Sequence, residues 1–472
     1  MDIKSFQEWS RKAADWGAEY RDKVGDFPVR PDIKPGDIIK QLPLSPPEAG
    51  EPMEKIFKDF EEIIMPGMTH WQHPRFFAYF ASNAAPAAVV ADYLVTAMSA
   101  QCMLWQTSPA ATELETRIMD WLRQAIGLPE GFDGVIQDSA SSATLAAVLT
   151  MRERALGWKG NKEGLFGQKR LRVYSSDQVH TSIDRAIWFS GIGEDNLVRI
   201  PVHGELRALD PEKLEAAIED DLAKGYLPAG IIACVGGTSV GATDDLIAVT
   251  KIAKKYDLYV HVDAAWAGSA MICEEFRHYW PGIENADSIV FNPHKWLGAP
   301  FDCSAHFIKD AGSLTKTLAI HPEYLKTLDT DNEYPVTNYS EWSIPLGRRF
   351  RALKLWFLLR YYGLSGLGEM IRNHVSYAEN LATQIEALPD FEIVTQPMLS
   401  LFSFRYLGKE GDDLDEINLK LLNAINADGR TYLTQTKVDG KFVIRIQIGQ
   451  FETRQEDVDI CFTAIKECAA II

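Results

Sequence analysis

From about residue 84 onward, short apolar runs alternate with longer stretches of helical periodicity, and this alternation constrains the fold more than any other feature of the chain. "GVIQD" (134–138) precedes "ASSATLAAVLTMRERAL" (140–156), and "LRVYSS" (171–176) leads into a helix from about Thr181. "GIIACVGG" (230–237) leads into another from about Asp245, and "DLYVHVDAAW" (257–266) and "ADSIVFNP" (286–293) are two further strands. Strands alternating with helices predict a mainly parallel sheet covered on both faces.

Ligands of such sheets bind beyond the carboxyl ends of the strands. Four polar motifs fall there. "QDSASSAT" (137–144) puts small residues between a strand and a helix, where free backbone N–H groups can hold a phosphate; a serine-rich helix cap reads the same way. "SSDQVHTSIDRA" (175–186) carries His180, which alone would pass for a structural loop histidine. "HVDAAWAG" (261–268) carries Asp263, alone a candidate helix cap, and "NPHKW" (292–296) carries Lys295, alone a candidate surface loop residue. Together the four fit one cofactor. Pyridoxal phosphate needs a lysine for a Schiff base, an acid for its pyridinium nitrogen and a phosphate cradle. Lys295 and Asp263 are 32 residues apart, room for one helix and one return strand. Ala265 could lie under the ring and His180 above it.

The flanks are different in kind. Phe6, Trp9, Ala13, Trp16 and Tyr20 recur at helical spacing over 5–24, and Met53, Ile56, Phe57, Phe60, Ile63 and Ile64 mark a second amphipathic helix stopped by Pro66-Gly67. Seven prolines between Pro28 and Pro52 exclude regular helix between them. Two apolar stripes joined by such a strap cannot make a core and must pack on the main domain or on another subunit. After "RALKLWFLLRYYG", expected to be a helix ending at Gly363, "FEIVT", "LFSFRYL" and "TYLTQTKVDGKFVIRIQIG" with a final helix predict a small α+β domain. The expected division is 1–83, 84–370 and 371–472.

Composition narrows the function. A chain of 472 residues with 46% hydrophobic content can bury a large core, and a formal net charge of −18 argues against nucleic acid or an anionic membrane as the main partner. The basic clusters "KRLR" (169–172) and "GRRFR" (347–351) read as solvated faces or internal ion pairs. The first residues lack the apolar core of a signal peptide, and the best candidate membrane run, "AAPAAVVADYLVTAM", is broken by Asp92. Six cysteines without a CxxC pair suit reduced thiols of a cytoplasmic protein, and "HWQH" (His70, His73) has no further ligand pattern, so no metal is expected.

The chain resembles the group II pyridoxal-phosphate-dependent amino acid decarboxylases, and within them the aromatic L-amino acid decarboxylases. The resemblance spans nearly the whole sequence and rests on "MPGMTHWQHPRFFAYF" (65–80), "TSPAATELE" (107–115), "YSSDQVHTS", "HVDAAWAGSA", "ADSIVFNPHKWL", "FDCSA" and "IPLGRRFRALKLWF", in that order. It implies a fold-type I, aspartate aminotransferase-like α/β enzyme whose N-terminal helical segment clasps the partner of a homodimer, with active sites at the subunit interface. It implies Lys295 as the Schiff-base lysine, Asp263 as the pyridinium partner and His180 as the ring-stacking histidine. Ala140, Ser141, Asn292 and His294 match contacts to the cofactor phosphate and active site, and Thr238 and Ala265 match ring contacts. Trp71, Tyr79, Phe80 and Ser82 match the substrate lining, with Ser82 in place of a more usual threonine. Tyr339 is matched to the tyrosine of a mobile loop that enters the neighbouring subunit's site and delivers a proton, with His180 as the other candidate.

The implied reaction is decarboxylation of an aromatic L-amino acid (tryptophan, 5-hydroxytryptophan, dopa, tyrosine or phenylalanine) to its amine. Gln101 and Met103 stand where isoleucine and phenylalanine are usual and are expected to reach the partner's pocket. Gly363 matches a position where plant members use glycine for indoles and serine for phenols, and Asp138 replaces a common glycine. An oxygen-consuming aldehyde synthase on the same scaffold is the near alternative; retention of Tyr339 and His180 favours simple decarboxylation. An aminotransferase would clamp the substrate carboxylate with an arginine such as Arg445.

Overall fold

The structure is a computed structural model that describes residues 1–320 and 336–472. The chain divides into two compact units, Met1–Ala81 together with Ser376–Ile472, and Ser82–Val375.

The first unit begins with helix α1 (Ile3–Lys23), capped by Asp2, whose carboxylate accepts the Ser5 N–H at 2.8 Å. No residue of α1 is buried. Helix α2 (Met53–Asp59) runs on through a wider turn over Phe60–Ile64. The aromatic stripes read from the sequence meet here: Trp9 packs on Phe57 at 5.6 Å and Trp16 on Phe60 at 4.9 Å between centroids.

The second unit opens with α3 (Pro86–Met98) and α4 (Pro109–Ala125), each with proline in its first turn, where a missing N–H costs nothing. Its strands are β1 (Asp133–Gln137), β2 (Leu171–Ser176), β3 (Leu197–Ile200), the ribbon β4 (Val202–His203) and β5 (Ala208–Leu209), β6 (Leu227–Cys234), β7 (Tyr259–Asp263), β8 (Ser288–Phe291) and β9 (Ser304–Ile308). Seven form one sheet in the order β1-β9-β8-β7-β6-β2-β3. β3, β2, β6, β7 and β8 pair in parallel, and β9 runs antiparallel to β8 and β1. β7, β8 and β9 are buried along their whole length, as strands covered on both faces must be. α5 (Ala140–Ala155) packs on the sheet through Ala147, Val148 and Met151. The expected α/β architecture with a mainly parallel sheet is the one found.

The helical stretch Ala352–Glu386 is two helices meeting at Gly363, whose φ 64° and ψ 167° are non-helical, so the first ends there as expected. A β-carbon there would meet only Ser365 Oγ at 3.8 Å, so the backbone conformation rather than crowding demands glycine.

The carboxy-terminal part of the first unit is an antiparallel sheet of β10 (Phe391–Met398), β11 (Leu401–Tyr406), β12 (Thr434–Val438) and β13 (Lys441–Gln447), in the order β10-β11-β13-β12. Helices Leu414–Asp428 and Gln455–Ala470 accompany it, with Phe402, Phe404, Leu421, Ile444 and Ile465 in the core. Among the described residues no helix is long and apolar enough to cross a membrane.

Candidate active site

The carboxyl ends of β2, β6, β7 and β8 open onto one edge of the sheet, and β1 points the same way because both it and β8 oppose β9. His180 lies four residues beyond β2 and Thr238 four beyond β6; Asp263 ends β7; Asn292, His294 and Lys295 follow β8 directly. The turn after β1 leads into α5, whose first residues are Ala140 and Ser141. Backbone N–H groups in a first helical turn have no carbonyl partner within the helix and favour an anion. The Ser139 hydroxyl caps the turn by accepting the Ser142 N–H at 3.2 Å.

A chain of hydrogen bonds fixes the acid relative to the lysine. Asp263 Oδ1 accepts the Ala265 N–H at 3.0 Å, the Ala265 carbonyl accepts the Asn292 N–H at 2.8 Å, and the Asn292 carbonyl accepts the Lys295 N–H at 2.9 Å. The Ser304 hydroxyl donates to Asn292 Oδ1 at 2.6 Å. His294 Nδ1 accepts the Cys303 N–H at 3.0 Å, and burial, with Lys295 next in weight, lowers its pKa to about 4. A neutral His294 with Nδ1 so engaged carries its proton on Nε2.

His180 shares an electrostatic environment with Asp263 and Lys295. Burial lowers its pKa, the Asp263 carboxylate pulls it back up, and the Lys295 ammonium lowers it again. Its Nδ1 accepts the Ser182 N–H at 3.1 Å. Thr238 is half-buried in a turn closed by the Gly237 N–H on the Ala242 carbonyl at 2.8 Å. These groups match what a pyridoxal phosphate needs: an amine, a carboxylate at the end of the adjacent strand, and a helix start for the phosphate.

Sequence reasoning missed Asn83. It is 1% exposed; its side-chain amide donates to the Lys295 carbonyl at 2.5 Å and its N–H to the His294 carbonyl at 3.1 Å. A lone asparagine after an aromatic run carries no local signal for that task. Ser82 precedes it, half-buried in the same unit.

Trp71, Tyr79 and Phe80 belong to the first unit. Trp71 stacks near Tyr79 at 6.1 Å, and Tyr79 holds a left-handed backbone at φ 48°. The buried Arg445 donates to the Tyr79 carbonyl at 2.6 Å and sits 4.8 Å from the Phe80 ring centre, which accounts for Arg445 as a structural residue of that unit. Gln101 is exposed, with its amide oxygen accepting the Arg348 N–H at 2.7 Å, and the Met103 carbonyl accepts the Ser340 N–H at 3.0 Å. Gly363 occupies the helix break described above, so its identity has a backbone cause apart from substrate size.

Tyr339 starts a short 3-10 turn, is 3% exposed in the single chain, and packs with Val135, Ala146, Ile308 and Leu314. Its hydroxyl lies 2.8 Å from that of Thr116, and the Arg348 guanidinium sits 5.3 Å from its ring centre.

The model of the pyridoxal-dependent decarboxylase conserved domain matches residues 35–407. Tyrosine decarboxylase 2 of Arabidopsis thaliana is 40% identical over 100% of this chain and 88% of its own length. The phenylacetaldehyde synthase of the same plant is 39% identical over 100% and 97%. The crystal structure of Oryza sativa TDC with PLP and tryptamine superposes with a TM-score of 0.96 at 35% identity, covering 100% of this chain and 99% of that one. With a family model spanning most of the sequence and such relatives along its whole length, the chain belongs to the pyridoxal-dependent decarboxylase family.

Proposed function

We propose that this carboxy-lyase converts aromatic L-amino acids into arylalkylamines and carbon dioxide. The observation that carries the reading is the juxtaposition of Lys295, Asp263 and His180 at one sheet edge, in a chain similar throughout to aromatic amino acid decarboxylases. Lys295 would hold the cofactor aldehyde, Asp263 its ring nitrogen, Ala140 and Ser141 its phosphate, with Asn292 and His294 beside them and Thr238 and Ala265 against the ring. When bound, the cofactor accepts the electron pair left behind by the departing carboxylate. Asp263 keeps the ring nitrogen protonated. His180 covers the ring, and the proton would come from Tyr339 of the neighbouring chain's loop or from His180 itself. Trp71, Tyr79, Phe80 and Ser82 would receive a flat side chain, joined by Gln101, Met103 and Gly363. Tryptamine, bound in the Oryza sativa structure, is an amine of the proposed class.

The reading includes a homodimer. α3 exposes Val89, Val90, Tyr93, Leu94 and Met98, all at least 40% accessible, and α1 buries none of its residues. An apolar face of this extent suits a subunit interface. The segment 1–83 would clasp the partner, with 84–370 as the cofactor domain and 371–472 as the small domain. A cytoplasmic setting fits six free cysteines, all buried.

The oxygen-dependent aldehyde synthase is the second reading, because one such enzyme is 39% identical along the full chain. One experiment tests both: purified protein with added pyridoxal phosphate and a panel of aromatic amino acids, with amine, aldehyde, peroxide and carbon dioxide measured. Amine with carbon dioxide supports decarboxylation. Aldehyde with stoichiometric peroxide supports the alternative, and a keto acid without carbon dioxide defeats both.

A further inference from the structure

The basic cluster "GRRFR" (347–351) reads from its sequence as a solvated face or as internal ion pairs, and Lys354 follows it. The structure buries Arg348 and Lys354, leaves Arg349 exposed, and aims Arg351 and Lys354 at one loop. Arg351 grips Asp302 with both prongs, Nε to Oδ1 at 3.2 Å and Nη2 to Oδ2 at 2.8 Å. Lys354, 0% exposed, donates to the Pro300 carbonyl at 3.0 Å and to Asp92 at 3.1 Å.

The gripped segment, 300–302, runs directly into Cys303. Cys303 donates its N–H to His294 Nδ1, and its carbonyl accepts the His294 N–H at 3.3 Å. Gly298, at the other end of the loop, accepts the Ala85 N–H at 2.8 Å. The loop is therefore tied to the residue beside Lys295 from within and, through Arg351 and Lys354, to the start of the helix that begins at Ala352 from without. A cation withdrawn from water must be paired, and here both are, Arg351 by Asp302 and Lys354 by Asp92 and the Pro300 carbonyl. Asp138, just after β1, adds to the field on Arg351: burial opposes the guanidinium charge, and Asp302 with a smaller share from Asp138 more than offsets it.

We infer that Arg351 and Lys354 are positioning residues for the cofactor site, acting through Asp302, Pro300 and Cys303 on His294 and Lys295. The inference rests on the function proposed above. Neither residue touches the reacting atoms; each holds the loop that orients those that do.

The test uses full-length parent protein and the variants Arg351→Met, Arg351→Lys, Asp302→Asn and Lys354→Met, freed of cofactor and titrated with pyridoxal phosphate. The readout is the visible absorbance of cofactor bound through Lys295. Arg172→Met serves as a control, because Arg172 pairs with Asp221 at 2.9 Å near the opposite end of β2. The control is expected to bind within about twofold of parent, and Arg351→Met and Lys354→Met about tenfold more weakly with a shifted visible band. Arg351→Lys keeps the charge but loses the two-pronged contact, and carries the test if either methionine variant fails to fold. Asp302→Asn and Arg351→Met combined should be no worse than either alone. A parent that binds cofactor while Arg351→Lys and Asp302→Asn match it in affinity and spectrum overturns the inference alone. A parent that takes up no cofactor overturns the proposed function, and the inference with it.

Discussion

The hydroxyl of Tyr339 lies 2.8 Å from that of Thr116, inside a core that leaves the tyrosine 3% exposed. Thr116 is 223 residues away in sequence, so the pair joins α4 to the segment entering the long helix. Burial pushes the phenol pKa upward, so the group holds its proton at neutral pH. Tyr339→Phe is expected to lower stability by about 1 kcal/mol and to raise aldehyde and peroxide relative to amine. Urea unfolding and an oxygen electrode check the two halves. Unchanged oxygen uptake in this variant would count against the proton-transfer role proposed for Tyr339.

Asp263→Asn keeps an oxygen to accept the Ala265 N–H, so the fold of the turn should survive. The charge opposite the pyridinium is lost. An ion pair at about 4 Å and an effective dielectric of about 20 amounts to about 4 kcal/mol. Turnover should fall by roughly three orders of magnitude, with the melting temperature little changed. Asp263→Glu, longer by one methylene, should recover part of the loss. Near-parental turnover in Asp263→Asn would remove the acid from its assigned place.

What could be read from the sequence followed from local chemistry. β7 and β8 were legible because strands buried on both faces must be apolar throughout, and Asp263 and Lys295 stood out as charges at the ends of such runs. The small residues opening α5 were legible for the same reason. The antiparallel direction of β9 was not, because a 12-residue link after β8 does not say which way the next strand runs. Lys354 within "RALKLWF" carries no local sign of its burial; Asp92, 262 residues earlier, and the Pro300 carbonyl make that burial tolerable. Asn83 was not legible because it is placed by partners far along the chain, and neighbouring residues carry no record of them.

Asn83→Ala would leave the Lys295 carbonyl without its 2.5 Å donor in a buried place. The cost of such an orphaned acceptor is about 1–3 kcal/mol. Because the bond falls on the backbone of the cofactor lysine, pyridoxal phosphate affinity should drop alongside stability. Denaturation and cofactor titration on the same preparation check both. Lost stability with unchanged cofactor affinity would make Asn83 a folding residue only.

Stability should fall as the solution is acidified from pH 7 to pH 5, and the buried histidines set the sign. Burial lowers the pKa of His261 and His294 to about 4 and of His73 and His374 to about 3, against an ordinary value of 6.5. The unfolded chain protonates these rings first. Their contribution is complete above pH 6.5 and is lost as pH drops toward the folded values, each by up to about 1.4 kcal/mol per pH unit. Asp244 works the other way. Burial raises its pKa to about 6 although it accepts the Leu209 N–H at 2.7 Å and the Cys234 N–H at 2.8 Å, so the folded state takes up its proton first and gains as pH falls from 6 toward 4. Four histidines outweigh one carboxyl, and the net slope is downward. Asp244→Asn removes the opposing contribution and should steepen the fall, while lowering stability at pH 7 because an amide nitrogen would face one of the two N–H donors. Urea unfolding of both proteins at pH 7, 6 and 5 decides it: a parent whose stability holds or rises on acidification would mean that these rings are not neutral in the folded protein.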